Sequence, residues 1–234
     1  MKVEIWSDVV CPWCYIGKRR LERALERFEH RAEVQVVWRS FELDPQSPRQ
    51  RTGDSVGRLA DKYGISCDEA LAMHARVTGV AAEEGLAYRL DVARHGNTFD
   101  AHRLLHLAAE RDRQGILKER LLAAYFTEGE AIGDADVLVR LAAEAGIDAG
   151  AARAALESDA YAEQVHADER EATTLGIQGV PFFVLDRRYG VSGAQPAEVL
   201  LGALEQAWSD GHPIRVLTPA DDASATCDDG SCAI

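Results

Sequence analysis

Ser7-Asp8-Val9-Val10-Cys11-Pro12-Trp13-Cys14-Tyr15-Ile16-Gly17 decides how this chain is read. Ahead of it, Val3 and Ile5 alternate with Lys2 and Glu4 over residues 2–7, the period-two pattern of a short strand. Behind it, Ile16, Leu21, Ala24, Leu25 and Phe28 recur at helical spacing as far as about Glu29. Pro12 stands where a first helical turn tolerates a missing N–H. The cysteine pair therefore sits at a strand-to-helix junction. The first cysteine meets the unpaired amides and positive dipole end of the helix, which favour a thiolate nucleophile. Cys14, one turn on and facing inward, is placed to resolve a mixed disulfide. Half a zinc ribbon, completed by Cys227 and Cys232, is the competing reading. Pro-Trp between the cysteines at a helix start argues against it, and no metal site is expected. An inert buried pair is the third reading.

Residues 33–43 are rich in Val, Trp and Phe and read as a second strand, so the opening is β-α-β with parallel strands and a right-handed crossover. Pro45, Pro48 and Thr52-Gly53 break the pattern. From Ser55 to about Leu175, amphipathic helices are expected near 55–63, 67–84, 99–113, 115–127, 135–145 and 160–175. A strand returns at 177–185. Asp186-Arg187 reads as a hairpin turn, 188–193 as a short strand and Pro196–Trp208 as a closing helix. The expected organisation is a discontinuous sheet domain, 1–52 and 176–211, around a helical insertion, 53–175. Residues 212–234 form a tail holding Cys227 and Cys232.

Gly179-Val180-Pro181 precedes Phe182-Phe183-Val184. Proline belongs at a strand start or edge because it cannot donate to a ladder. A cis bond there leaves a free backbone edge facing the thiols.

Three stretches together carry a resemblance. They are Asp8-x-x-Cys11-Pro12-Trp13-Cys14-Tyr15-x-Gly17, Asn97-Thr98-x-x-Ala101-His102-Arg103-Leu104 and Gly176-x-x-Gly179-Val180-Pro181-x-Phe183. The chain resembles the DsbA-like thioredoxin-fold oxidoreductases, in particular their FrnE-like subfamily. The resemblance implies an α/β fold, a thioredoxin fold with a large all-helical insertion. It implies Cys11 as nucleophile, Cys14 as resolving thiol and cis-Pro181 as the neighbour on the substrate side. Pro12 and Trp13 then shape the contact surface, and Val180 offers its backbone to an extended peptide. Glutathione-dependent 2-hydroxychromene-2-carboxylate isomerases and kappa-class glutathione transferases share this fold but generally carry serine where Cys11 stands. Both thiols here favour dithiol exchange, with an isomerase or transferase of small aromatic molecules as the alternative.

Other residues stay open between two readings. Asp8 is either a buried proton acceptor for Cys14 or part of the helix cap. Asn97, Thr98 and His102 are tentative substrate-binding residues, although Thr98 suits the cap of a helix opening at Phe99. His106 reads as packing, and Cys67, read as an ordinary buried thiol, is given no role. Cys227-Asp-Asp-Gly-Ser-Cys232 can close a small disulfide and exchange with Cys11–Cys14 as a secondary redox pair. The bland alternatives are a solvent-exposed dithiol with no partner and an adventitious metal site; flanking Asp228 and Asp229 raise the thiol pKa values and slow attack.

Composition sets the outer bounds. Of 234 residues, 47% are hydrophobic and 28% charged, enough apolar chain to bury a core without staples. The net charge of −13 opposes binding to nucleic acid or to an anionic membrane surface. No apolar run approaches the roughly 20 residues that span a bilayer. Glu4 and Asp8 interrupt any apolar signal run, which places the protein in the cytoplasm. The expectation is a cytoplasmic protein disulfide oxidoreductase or isomerase, monomeric or homodimeric. No bound cofactor is expected. Its partners are disulfide- or thiol-containing proteins, with glutathione an open co-substrate.

Overall fold

A computed structural model describes residues 1–50 and 55–212. Four strands, β1 (Lys2–Ser7), β2 (Gln35–Ser40), β3 (Phe182–Leu185) and β4 (Tyr189–Ser192), form one sheet in the order β2-β1-β3-β4. β1 runs parallel to β2, with Val3 opposite Val36 and Ile5 opposite Trp38. β3 lies antiparallel to β1 and β4 antiparallel to β3. The parallel pair needs a crossover, supplied by α1 (Pro12–Arg27). The β3–β4 turn has positive φ at both Asp186 and Arg187, the twist a two-residue hairpin requires.

Each face of β1 meets a different layer. Val3 and Ile5 pack with Leu21 and Ala24 of α1, with Phe28 just after it, and with Leu200, Leu204 and Ala207 of α9 (Ala197–Gly211). Trp6 packs on the opposite side with Val184, Ile177 and Ala172. Ala172 belongs to α8 (Ala162–Thr174). Alternation predicts a solvated Glu4, but covering this second face buries it to 1% exposure. Arg39 Nε at 2.9 Å, Arg187 Nη2 at 2.8 Å and Lys2 at 3.1 Å compensate its charge.

Between β2 and β3 the chain is helical. The elements are α2 (Ser55–Tyr63), α3 (Cys67–Glu83), α4 (Phe99–Ala109), α5 (Gln114–Ala123), α6 (Ala135–Glu144), α7 (Ala149–Leu156) and α8. α5 runs on as a π turn, Ala124–Glu128, stopped by Gly129 at φ 71°. Leu104, Leu117, Leu121, Leu122, Leu138 and Leu141 form the centre of this block. Val9, Tyr15 and Ile16 from the cysteine segment are part of the same cluster. Helix α7 is a correction to the sequence reading. Its buried stripe is only Ala152 and Ala155, too small to register as an apolar pattern. Alanine propensity and the Asp148 cap on the Ala151 amide (2.8 Å) make it a helix. The strand expected from 177 begins only at Phe182. Cys67 opens α3 as expected but is exposed, not buried.

Arg103 explains part of the insertion motif. It is 4% exposed, and its guanidinium donates to Asp100 Oδ1 (2.9 Å) and the Ala160 carbonyl (2.8 Å), with further bonds to the carbonyls of Ala155 and Ser158. One side chain thus ties α4 to the end of α7 and to the turn before α8. Arg103→Leu removes the side-chain donor of the Ala160 and Ser158 carbonyls and leaves Asp100 with Arg49 alone. Denaturant unfolding is expected to show a loss of about 3 kcal/mol or more; a loss near zero contradicts this account of the motif.

Candidate active site

Cys11 is the N-cap of α1, but its side chain caps no amide. Both Cys11 and Cys14 are free thiols, 4% and 1% exposed. Trp13 between them is 40% exposed, so solvent meets the indole before it meets either sulfur. The Val180–Pro181 bond is cis, and Cys11 Sγ lies 3.5 Å from the Val180 carbonyl oxygen, donating to it. Tyr88 Oη donates to the Pro12 carbonyl at 2.6 Å, pinning the first turn of α1 to the helical block. Gly17 is a close-approach glycine. A Cβ there would stand 2.9 Å from Pro181 Cγ and 3.3 Å from Phe183 Cζ.

The electrostatics differ from the expectation that the helix end favours a Cys11 thiolate. The adjacent Cys14 sulfur, burial and the negative charge of Asp8 hold Cys11 well above the ordinary thiol value, against the opposing Cys14 amide. Burial works against the Cys14 thiolate too. It is outweighed by the hydrogen bond from Cys11, the charge of Lys118, the Ser7 hydroxyl and the Asp8 amide, which together bring Cys14 below the ordinary value. Their surroundings thus push the two thiols in opposite directions, Cys11 up and Cys14 down.

Asp8 accepts no amide of α1; it bonds the turn before the helix and the segment after β2. It is fully buried, and its oxygens accept the amides of Val9 (2.7 Å) and Leu43 (2.8 Å) and face His102 Nε2 at 3.3 Å. Burial opposes ionisation, but His102 and the Leu43 amide hold the carboxyl below its ordinary value. It pins the segment after β2 against the cysteine turn.

His102 is brought to Asp8, yet at 1% exposure it offers no surface to a substrate. Thr98, at 3%, is equally enclosed and makes no side-chain cap. Asn97 does that work instead: its Oδ1 accepts the Phe99 amide at 2.9 Å, and its Nδ2 donates to Glu42 Oε1 (3.2 Å) and the Pro45 carbonyl (3.3 Å). His106, read as packing, is a polar partner of Ser40 Oγ (3.1 Å) and Asp168 Oδ2 (3.2 Å). Cys227 and Cys232 lie outside the described residues, and among the described residues no cluster of His, Cys, Asp or Glu could hold a metal. Sequence reading missed Lys118 and Glu42. Lys118 had a local signal, because Leu121 and Leu122 follow it by three and four residues and place it on the buried stripe of α5. Glu42 had none: it lies past the end of β2 and is buried to 8% exposure.

The DSBA-like thioredoxin domain family matches residues 2–205. The solved structure of a probable DsbA oxidoreductase from Streptomyces coelicolor superposes with a TM-score of 0.87 at 52% identity, covering 93% of this chain and 94% of that one. A 2-hydroxychromene-2-carboxylate isomerase superposes at 0.63 with 16% identity, over 90% and 98% of the two chains. A cytosolic disulfide reductase, DsbM from Pseudomonas aeruginosa, solved with GSH, gives 0.56 at 18% identity over 90% and 96%. The last two show a shared fold.

Glu42 supplies a pH test of the site's packing. Burial and the nearby carboxylates of Glu169 and Asp8, opposed by Asn97, push its carboxyl up to about 7. A carboxyl with a raised folded value contributes stability that is complete below its unfolded value near pH 4 and is lost as pH rises toward about 7. Glu42→Gln keeps an acceptor for Asn97 and cannot ionise. Unfolding measured across this range should show the variant gaining on the parent as pH rises. A constant difference contradicts the buried carboxyl.

Proposed function

Because the chain belongs to the DSBA-like thioredoxin domain family, we propose that it is a cytoplasmic thiol–disulfide oxidoreductase with Cys11 as attacking and Cys14 as resolving thiol. One observation carries the reading: two free thiols stand at the start of α1, with Cys11 Sγ against the backbone of Val180. Cys11 gives up its proton as its sulfur attacks one sulfur of a substrate disulfide. The substrate S–S bond breaks, a Cys11 mixed disulfide forms, and the other substrate sulfur leaves as a thiolate and takes up a proton. Cys14 then loses its own proton and attacks Cys11 Sγ. The Cys11–Cys14 disulfide forms and the second substrate sulfur leaves. The protein gives up two electrons and the substrate gains two. A thiol reductant, of which glutathione is the cytoplasmic example, restores the dithiol.

Trp13, open to solvent beside the pair, and the Val180 backbone suit an extended peptide that adds main-chain bonds at this edge. A cytoplasmic thiol pool keeps such a pair reduced, so reduction or isomerisation of disulfides is the favoured direction. Among the described residues, no helix is long and apolar enough to cross a membrane. The alternative is a glutathione-dependent isomerase of small aromatic molecules, favoured by the shared fold with 2-hydroxychromene-2-carboxylate isomerase. Exchange requires Cys14, whereas activation of a bound glutathione does not.

Titration of the protein in glutathione buffers, with alkylation and peptide mass spectrometry, tests the reading. A reversible Cys11–Cys14 disulfide is expected, and Cys14→Ser should trap a mixed disulfide on Cys11 and lose turnover by a thousandfold or more, the loss of an essential group. If Cys11 and Cys14 never pair, and Cys14→Ser keeps full activity with glutathione, dithiol exchange is wrong and the isomerase reading replaces it. A Cys11 adduct with Cys227 or Cys232 in the same variant makes the tail a secondary redox pair.

Gly17→Ala probes the approach of α1 to Pro181. Overpacking at 2.9 Å costs about 1–3 kcal/mol, and the helical gain of alanine over glycine returns about 1 kcal/mol. A net loss of up to about 2 kcal/mol is expected, with slower exchange because Pro181 must move away from α1. Unchanged stability and rate would show that the contact carries no constraint.

A further inference from the structure

Tyr88 reaches the cysteine motif from the helical block. It follows α3, is 7% exposed, and its Oη donates to the Pro12 carbonyl at 2.6 Å. Its ring stacks on Phe126, with centres 4.6 Å apart and planes at 19°, and faces Tyr15 of α1 at 6.1 Å. The next amide, that of Arg89, donates to the Phe126 carbonyl at 2.7 Å. Phe126 belongs to the π turn that ends α5. Such a turn adds one residue to a helix and is frequent at functional sites; here it carries the ring on which Tyr88 rests. Ring and backbone are both tied, so the hydroxyl is held on Pro12. Burial, and then negative charge on Cys11 or Cys14, keep the phenol well above its ordinary value, so it stays a donor.

Pro12 brings a carbonyl but no N–H. The Pro12–Trp13 peptide is therefore the first unit of the motif to own both groups, and it is rigid and planar. Tyr88 holds its carbonyl end. Its amide end is that of Trp13, one of the N-terminal amides that no helical carbonyl can take. These amides face the end of α1 where Cys11 stands as N-cap. A hydrogen bond accepted at one end of a peptide polarises the other end. At rest the Cys11 thiol donates to Val180. Once that proton is gone, a polarised Trp13 amide favours the thiolate left behind. The Tyr88 bond is also present with both thiols free. Both effects weigh for the open pair against the closed disulfide.

Resting on the oxidoreductase reading, we propose that Tyr88 is a positioning residue of the exchange, whose hydroxyl on the Pro12 carbonyl biases the Cys11–Cys14 pair toward its reduced form. The thioredoxin-like part of the chain supplies the sulfurs, and the helical insertion sets how readily they give up electrons. Closing the pair forms the Cys11–Cys14 bond. Its two electrons and two protons pass to a disulfide such as glutathione disulfide, whose S–S bond breaks to leave two glutathiones. Without the Tyr88 hydroxyl that closure is easier, and the dithiol is the stronger reductant. A hydrogen bond that served only the fold would steady both redox forms alike.

Tyr88→Phe keeps the ring on Phe126 and deletes only the hydroxyl. In the full chain with Cys67, Cys227 and Cys232 replaced by serine, parent and variant are equilibrated in glutathione buffers. Alkylation and mass spectrometry then count the Cys11–Cys14 disulfide. The equilibrium constant for closing it should rise about two- to tenfold in the variant, the worth of one neutral hydrogen bond; tenfold is about 30 mV. Urea unfolding of both redox forms closes the same cycle. The reduced variant should lose more stability than the oxidised one, by that same factor. Equal losses with an unmoved equilibrium make the bond merely structural and overturn the proposal. If circular dichroism shows that Tyr88→Phe does not fold, Phe126→Leu decides: it loosens the stack, and a smaller rise is expected where no change overturns. A parent that never closes the disulfide sinks the oxidoreductase reading and the proposal with it. A parent that closes it beside an unmoved, folded variant sinks only the role of Tyr88.

Discussion

Helix α1 is packed into two cores at once, and the cysteine pair is placed by that constraint. Leu21 and Ala24 bury against Val3, Ile5 and α9, while Tyr15 and Ile16 bury among the leucines of the helical block. Cys11 and Cys14 lie in its first turn, on the side of the helical block, and the helix crosses to the sheet core between Ile16 and Leu21. Interiors pack at nearly crystalline density, so neither core can shift without moving the sulfurs. Gly17 shows how tight the seam is: the space a methyl group needs is taken by Pro181, and Pro181 therefore lies close enough to bring Val180 onto Cys11.

The same seam explains why so many charges are buried close to the thiols. An interface between a sheet and a helical block has loop backbone running along it, and loop amides and carbonyls need partners when water is excluded. Asp8 takes the amides of Val9 and Leu43, Asn97 takes those of the α4 start, and Arg103 takes carbonyls at the α7–α8 turn. Asp168 bridges the Ser40 amide, Arg39 and His106. These side chains look catalytic when read as isolated His, Asp and Asn. Their geometry shows most of them acting as struts that hold the first turn of α1, the segment after β2 and the start of α4 in one arrangement.

The legible part of this protein was whatever repeats or punctuates. Period-two alternation located β1, a proline after a cysteine located the start of α1, and two turn residues located the β3–β4 hairpin. The cysteine spacing and Val180-Pro181 carried the site. The illegible part was whatever depends on a second element arriving. Glu4 looked like the wet side of a strand until α8 covered that face. Helix α7 hid because alanine buries too little to mark a face. Lys118 shares a helical stripe with Leu121 and Leu122, but its charge argues for solvent, and only the packing of α5 against β2 and the Ser7 carbonyl shows that it is enclosed while Lys62 on α2 is exposed.

The seam also changes the usual argument about a C-x-x-C turn. A helix N-terminus offers an anion a fraction of a charge, which solvent screens when the end is open. Here both sulfurs are buried, Tyr88 ties the first turn to the helical block, and the N-cap sulfur of Cys11 takes no amide but donates to the Val180 carbonyl. The Cys11 sulfur is thus addressed from across the seam rather than along the helix axis. Its surroundings depend on the segment before Pro181 and on the helical block that carries Tyr88 as much as on the four residues of the motif.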